Sequence, residues 1–250
     1  MEILFDTLII GQDFPVLKKN DIHLWRVSLD PSEEILKGAK SALSDFELSR
    51  LDFFEFERVQ RNYTMSQGVL RILIANYLSI DIKEVELGRR SKGKPFCKND
   101  ESLFFNISNS GGLCVFAFSR DNEVGLDLEK IRPLNDLEEM INKNFSNQEQ
   151  SYIRRTKDET LRRFYFYWTI KESYLKAIGE GMRIEPQNLE FSIQNDRIRL
   201  LGVNGYTDYD DWVFEETPFS PEYVRTLTYI GEGIDITNFA IISDAAFGGV

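Results

Sequence analysis

Two charged stretches constrain this chain more than any other feature. Val124–Gly125–Leu126–Asp127–Leu128–Glu129 reads as a strand, and Trp168–Thr169–Ile170–Lys171–Glu172–Ser173–Tyr174–Leu175–Lys176, further on, reads as a helix. Alternate residues of a strand share a face, so Asp127 and Glu129 project together. Residues four apart on a helix share a face, so Lys176 stands beside Glu172. A fold that brings the two stretches together assembles three carboxylates and an ammonium, which is a site for a hard divalent cation and a phosphorylated ligand.

The remaining chemistry is narrow. The chain has 250 residues, enough for one large domain or two small ones. Its net charge of −11 argues against a general nucleic-acid binder, which carries a basic footprint. Arg89, Arg90, Lys92, Lys94 and Lys98 form a local basic cluster that reads as a solvated loop. The single histidine, His23, has no nucleophile motif beside it, so triad chemistry and histidine-rich zinc sites are excluded and His23 reads as structural. Cys97 and Cys114 fit no metal-ligand spacing and no disulfide framework, which points to a reducing cytoplasm. Met1–Asp6 lacks the positive region of a signal peptide, and the longest apolar runs are too short to span a bilayer, so no membrane role is expected.

Helices and strands alternate without a βαβ rhythm. A strand is expected over Ile22–Leu29, and a capping box at Ser44 and Glu47 opens a helix toward Arg58. Thr64–Ser79 has the apolar spacing of an amphipathic helix. A loop over Gly88–Pro95 precedes three strands, Leu103–Ile107, Leu113–Ser119 and Val124–Glu129, with turns at Ser110–Gly112 and Asp121–Asn122. Helices follow over Asp136–Asn144 and Asn147–Arg155, the latter capped by Ser146 with Glu149. Thr156 with Glu159 reads as a capping box for the longest helix, ending near Gly179 or Gly181. Late strands are expected at Leu189–Ile193, Ile198–Leu201, Trp212–Glu215, Arg225–Ile230 and Phe239–Ser243. Strand, helices, then strands recur in each half. The expected fold is therefore α+β, two similar pseudo-symmetric lobes over 1–119 and 120–250, each a small antiparallel sheet packed with helices.

On the long helix, Leu161, Phe164, Trp168, Glu172, Leu175 and Gly179 trace an apolar seam in which Glu172 is out of place. A carboxylate there either pairs with a buried cation or reaches a metal between the lobes. Trp168 reads as the packing residue that sets the Glu172 helix.

The two opening stretches resemble the paired signature of the 4′-phosphopantetheinyl transferase superfamily, G-x-D on a strand and W-x-x-K-E-x-x-x-K on a helix. Gly93–Lys94–Pro95 resembles that family's G-K-P loop, and Phe105–Gly111 its F-N-x-S-H-S-G segment. Arg58–Leu78, with Arg61 and Arg71, resembles its early helix. The blocks run in the order of the larger, monomeric Sfp type. One position departs: Asn109 stands where the family has a histidine that meets the 3′-phosphate of coenzyme A. Asparagine can donate a hydrogen bond but cannot carry charge.

The resemblance implies transfer of 4′-phosphopantetheine from coenzyme A to a serine of an apo acyl or peptidyl carrier protein, releasing adenosine 3′,5′-bisphosphate. It implies Mg²⁺ on Asp127, Glu129 and Glu172, Glu172 as base, and Lys176 neutralising the diphosphate, with Asp127 also counted as catalytic. Lys94, Ser108, Asn109, Arg61 and Lys171 are the expected coenzyme A contacts. The N-terminal lobe would hold coenzyme A and the C-terminal lobe the metal. Carrier docking is expected near Arg154, Arg155, Arg162 and Arg163, since an acidic chain offers no long-range attraction to an acidic partner. The alternatives are another Mg²⁺-dependent phosphoester enzyme or a catalytically silent carrier-binding module.

Overall fold

The structure is a computed structural model. It describes residues 1–5, 8, 14–120, 122–180, 184–194, 197–203 and 211–242. Asp121, Gly181 and Ser243, each part of a sequence expectation, lie outside the described residues. Short β1 (Glu2–Leu4) precedes one plan built twice. The first copy runs β2 (Asp21–Ser28), α1 (Glu33–Ser41), α2 (Asp45–Leu51), α3 (Glu57–Leu78), the hairpin β3 (Leu87–Arg89) and β4 (Pro95–Cys97), then β5 (Leu103–Ser110) and β6 (Leu113–Arg120). The second runs β7 (Val124–Lys130), α4 (Leu137–Asn144), α5 (Asn147–Ile153), α6 (Thr160–Ile178), the hairpin β8 (Leu189–Gln194) and β9 (Arg197–Val203), then β10 (Trp212–Glu216) and β11 (Tyr223–Ile230). β12 (Asp235–Ile242) follows.

The fold is α+β with two lobes, as the alternation of elements predicts. The antiparallel trio β2–β6–β5 of the first lobe corresponds to β7–β11–β10 of the second. The division at 119/120 is crossed, however, because β12 returns to lie parallel between β1 and β2. The first sheet is thus five-stranded and mixed, in the order β1–β12–β2–β6–β5.

Alternation along each strand distributes the core among three layers. Trp25 and Val27 of β2 pack with Met65, Val69 and Leu73 of α3. Ile22 and Leu24, on the other face of β2, pack with Val115 and Ala117 against Leu126 and Leu227 of the second sheet. Phe164, Tyr167, Ile170 and Tyr174 of α6 pack with Phe191 and Phe214.

Helix starts follow the expected chemistry at two of three positions. Ser44 and Ser146 each form a reciprocal capping box with Glu47 and Glu149. The expected box at Thr156 does not form: 157–159 is a 3-10 turn, and Glu159 instead pairs with Arg163. The helix opened by Ser44 stops at Leu51, and α3 starts about two turns before the Thr64 expected from periodicity.

Each capping-box carboxylate meets a cation from the long helix of its lobe. Arg71 on α3 pairs with Glu47 at 3.4 Å and donates to the carbonyls of Ala42 (2.8 Å), Ile82 (3.2 Å) and Val85 (2.8 Å). Lys171 on α6 pairs with Glu149 at 2.8 Å and donates to the carbonyls of Asn144 (2.9 Å), Pro186 (3.0 Å) and Leu189 (2.8 Å). In both copies the carbonyls lie two residues before the capping serine and at both ends of a 3-10 turn. Identical wiring in both lobes supplies the evidence of a repeat that residue identity alone does not.

Candidate active site

β7 is an edge strand of its sheet, yet its free edge is not bare. Its N–H groups at Leu126, Leu128 and Lys130 donate to the side chains of Asn106 (2.9 Å), Ser108 (3.2 Å) and Ser110 (3.1 Å), which alternate along β5. On the same edge, the carbonyl of Val124 accepts from Lys94 (3.3 Å) and that of Leu126 from Lys176 (3.2 Å). Side chains thus replace the backbone ladder between the two sheets and leave a polar seam. Asn106 and Ser110 were not singled out by sequence reasoning. Their signal was present as a period-two polar series, Asn106, Ser108 and Ser110, in a strand that starts out apolar.

The acids sit along this seam. Ser108 Oγ donates to Asp127 Oδ1 at 3.0 Å and Ser110 Oγ to Glu129 Oε2 at 2.7 Å. Lys176 Nζ reaches from α6 to Asp127 Oδ1 (2.7 Å) and Ser108 Oγ (2.9 Å). α6 comes this close because Gly125 has no side chain: a Cβ there would lie 1.9 Å from the Ser173 carbonyl oxygen. Thr169 and Ser173, on the same side of α6, are bonded to Thr226 and Thr228 of β11 at 2.7 Å each.

Glu172 lies near enough to Asp127 and Glu129 for their charges to act on it. Burial first, and then the charge of Asp127, pushes its carboxyl above the usual range. Burial raises Glu129 as well, and Asp127 adds to that while the Ser110 hydroxyl opposes it. Asp127 Oδ2 is buried and has no hydrogen-bond partner among the described residues. A buried, orphaned carboxylate oxygen within electrostatic reach of two further acids is the donor chemistry that a hard divalent cation takes. Among the described residues no three His, Cys, Asp or Glu side chains are arranged so that they could hold a metal ion as they stand. The Lys176 ammonium holds Asp127 Oδ1 at 2.7 Å.

The structure thus brings Asp127, Glu129, Glu172, Lys176 and Ser108 together. It takes Lys171 elsewhere. Its ammonium is wholly buried and held by Glu149 and three carbonyls, so the expected contact between Lys171 and coenzyme A is withdrawn. The Ser108 hydroxyl is engaged within the protein on all sides. Lys94 pairs with Glu123 and also donates to Ala177 O at 2.6 Å, clamping the C-terminal end of α6 to the start of β7. Arg61 is held by Glu33 (2.6 Å) and the carbonyl of Pro31 (3.2 Å). Asn109 is exposed beside Ser108. Trp168 stacks on Phe164 as a packing residue. Arg154, Arg162 and Arg163, expected near a docking surface, pair with Glu138, Glu216 and Glu159, while Arg155 is exposed. His23 accepts or donates at Tyr77 Oη (2.8 Å), and burial lowers it to about 4, so it is neutral at pH 7.

An acidic seam met by the Lys94 and Lys176 ammonium groups thus lies between the halves of a doubled α+β scaffold. The model of the 4′-phosphopantetheinyl transferase superfamily matches residues 123–228, and that of the 4′-phosphopantetheinyl transferase N-terminal region matches 27–121. The 4′-phosphopantetheinyl transferase HetI of Nostoc sp. is 36% identical over 170 residues, covering 66% of this chain and 72% of that protein. An L-aminoadipate-semialdehyde dehydrogenase-phosphopantetheinyl transferase of Rattus norvegicus is 31% identical over 206 residues, 75% of this chain and 66% of that protein. A phosphopantetheinyl transferase of Thraustochytrium sp. is 32% identical over 184 residues, 68% of this chain and 64% of that protein. The chain belongs to the 4′-phosphopantetheinyl transferase superfamily. It spans just under two thirds of the length of the last two relatives.

Proposed function

We propose that this chain moves 4′-phosphopantetheine from coenzyme A to a serine of an apo acyl or peptidyl carrier protein, with Mg²⁺, and releases adenosine 3′,5′-bisphosphate. The observation that carries this reading is the buried, unpartnered Asp127 Oδ2 beside Glu129 and Glu172. Asp127, Glu129 and Glu172 would hold the ion, which supplies positive charge to screen a diphosphate. Lys176 Nζ, already on Asp127, neutralises the phosphate that departs. The serine oxygen forms the new P–O bond, the bridging P–O bond breaks toward the adenosine phosphate, and the serine proton passes to Glu172. A carboxyl raised by burial and like charge suits that acceptor role near neutral pH. Ser108 acts by holding both Asp127 and Lys176 in place.

For coenzyme A, the proposed contacts are exposed Asn109, Lys94 at the other end of the β7 edge, and Arg61, whose partner Glu33 is solvent-exposed and exchangeable. The site is built from both halves of one chain, which supports action as a monomer. Both cysteines are free, buried thiols, which suits a cytoplasmic setting. Among the described residues no helix is long and apolar enough to cross a membrane.

Mass spectrometry of apo carriers with coenzyme A and Mg²⁺ tests the reading. A pantetheine-sized mass gain is expected, with Asp127→Ala lowering the rate by about a thousandfold or more and leaving the circular dichroism unchanged. No gain across a panel of fatty-acid, polyketide, nonribosomal-peptide and lysine-pathway carriers, or turnover retained in Asp127→Ala, would overturn it.

A further inference from the structure

A cavity of about 370 Å³, none of whose lining residues belongs to the acidic seam, lies where β12 returns beside β2 and β11. Arg26 of β2, Arg225 of β11, Asn238 of β12, Phe219 and Glu2 are among its lining residues. Arg225 is only 2% exposed. Its Nε donates to Thr217 O (3.0 Å) and Thr217 Oγ1 (2.8 Å), and its Nη2 to Asn238 Oδ1 (2.6 Å). Every one of these partners is neutral. The guanidinium carbons of Arg225 and Arg26 lie 4.8 and 5.3 Å from the centroid of one ring, Phe219. Burial, and then the charge of Arg26, lowers Arg225 to about 10, which leaves it cationic at pH 7.

Among the described residues the Arg26 side chain forms no hydrogen bond and neither arginine forms an ion pair; Glu2 lines the cavity without pairing to either. The chain carries 41 acidic residues, so the missing partner is not for want of acids. Two adjacent guanidinium groups, one fully desolvated, are costly unless an anion joins them. Their planar donor forks fit an oxyanion with several acceptor oxygens.

We propose that this cavity binds a small dianionic oxyanion of the phosphate class, either inorganic phosphate or the phosphoryl end of a phosphomonoester. Charge decides between oxyanions: two guanidinium groups are balanced by a phosphate of about −1.5 to −2 at pH 7, and not by one carboxylate. The apolar wall of Phe219 and Phe239 leaves a surface for a carbon skeleton.

Isothermal titration at pH 7.5, with ionic strength held constant by chloride, tests this on the full chain. Saturable binding of inorganic phosphate is expected, with acetate weaker by about tenfold. Arg26→Met, at a half-buried position, is expected to weaken phosphate by about tenfold or more. Lys176→Met is expected to leave it unchanged, which separates this cavity from the acidic seam. Glycerol phosphate binding more tightly than phosphate would assign a phosphomonoester; equal or weaker binding would assign the inorganic ion. Absence of saturable binding, an Arg26→Met titration matching the parent chain, or acetate equal to phosphate would each overturn the proposal.

Discussion

The first strand of each repeat lies under the long helix of its lobe, and the two strands offer opposite chemistries. In the N-terminal lobe, β2 presents His23, Trp25 and Val27 to α3, with Tyr77 Oη bonded to both His23 and Trp25 Nε1 at 2.8 Å. In the C-terminal lobe, β7 presents Gly125, Asp127 and Glu129 to α6. The Arg71 and Lys171 modules behind the long helices are wired alike, so the scaffold does not require the acids. One lobe closes its face with aromatic packing; the other leaves an oxygen of Asp127 unsatisfied. A stable fold tolerates such a defect only where the rest of the lobe supports it, which is the pattern expected at a site kept for function.

The sharpest way to break the comparison is to remove the cation of each module. Glu149 and Lys171 are wholly buried, so Lys171→Met strands a carboxylate; a loss of about 3–5 kcal/mol is expected by urea denaturation. Both carboxylates keep their N–H donors, but Arg71→Met should cost less, about 1–3 kcal/mol, because Glu47 borders a cavity whereas Glu149 is wholly buried. The double variant Lys171→Met/Glu149→Leu should recover only part of the loss, since it removes the stranded charge but leaves the Ser146 and Phe191 N–H groups and three carbonyls without these partners. Equal costs in the two lobes would show that the modules are energetically as well as geometrically equivalent.

Lys171 also shows where sequence reading reached its limit and why. At about 100° per residue, Lys171 and Lys176 lie about 140° apart around the helix, so the two cannot serve one site. Helical geometry alone separates them, whereas the family resemblance grouped them. Asp127 with Glu129, and Glu172 with Lys176, were legible because local periodicity fixes which side chains share a face. The return of β12 was not: its strand pattern was visible at Phe239, but a parallel partner far back in the chain is chosen by tertiary packing. The arginine cavity was invisible for the same reason, since Arg26 and Arg225 meet only through that packing.

Close approach of β7 and α6 gives the next test. Gly125→Ala places a methyl group 1.9 Å from a backbone oxygen, so α6 must shift and carry Glu172 and Lys176 with it. A loss of about 1–3 kcal/mol is expected by thermal or urea denaturation, together with loss of transfer. Full activity in Gly125→Ala would mean that the spacing of the two elements does not set the site.

The acids make a prediction of opposite sign. Glu129 and Glu172 have folded-state carboxyls raised by burial, so each adds stability below its unfolded value and loses it as pH rises through the folded value. Near neutral pH, Glu172→Gln should therefore stabilise the fold, by about 0.5–2 kcal/mol, while impairing transfer. The gain should shrink as pH falls through the unfolded carboxyl's value of about 4.3 and vanish only well below it, where the carboxyl is protonated in both states. In the N-terminal lobe no such trade is available at Trp25, whose truncation can only open a cavity. A Glu172→Gln protein no more stable than its parent at pH 7.5 would show that the acids are not in conflict and would weaken the case for a cation between them.

The smallest expected effect concerns what the N-terminal lobe contributes to ligand. Asn109 is exposed at the end of β5, one residue from Ser108, which already touches Asp127 and Lys176. If the two lobes divide the work, with the acids on β7 and α6 and coenzyme contacts on β5, then charge at 109 should act on coenzyme A alone. An exposed histidine titrates near 6.5, so Asn109→His adds a cation at pH 6 and none at pH 8.5. The KM for coenzyme A should fall about two- to fivefold at pH 6, in line with an exposed charge pair of below about 1 kcal/mol, and stay unchanged at pH 8.5. Neither kcat nor the carrier KM should follow. A fall in KM of the same size at both pH values would make the contact one of shape and hydrogen bonding; a change in carrier KM instead would move the coenzyme contacts off β5 and collapse the division between the lobes.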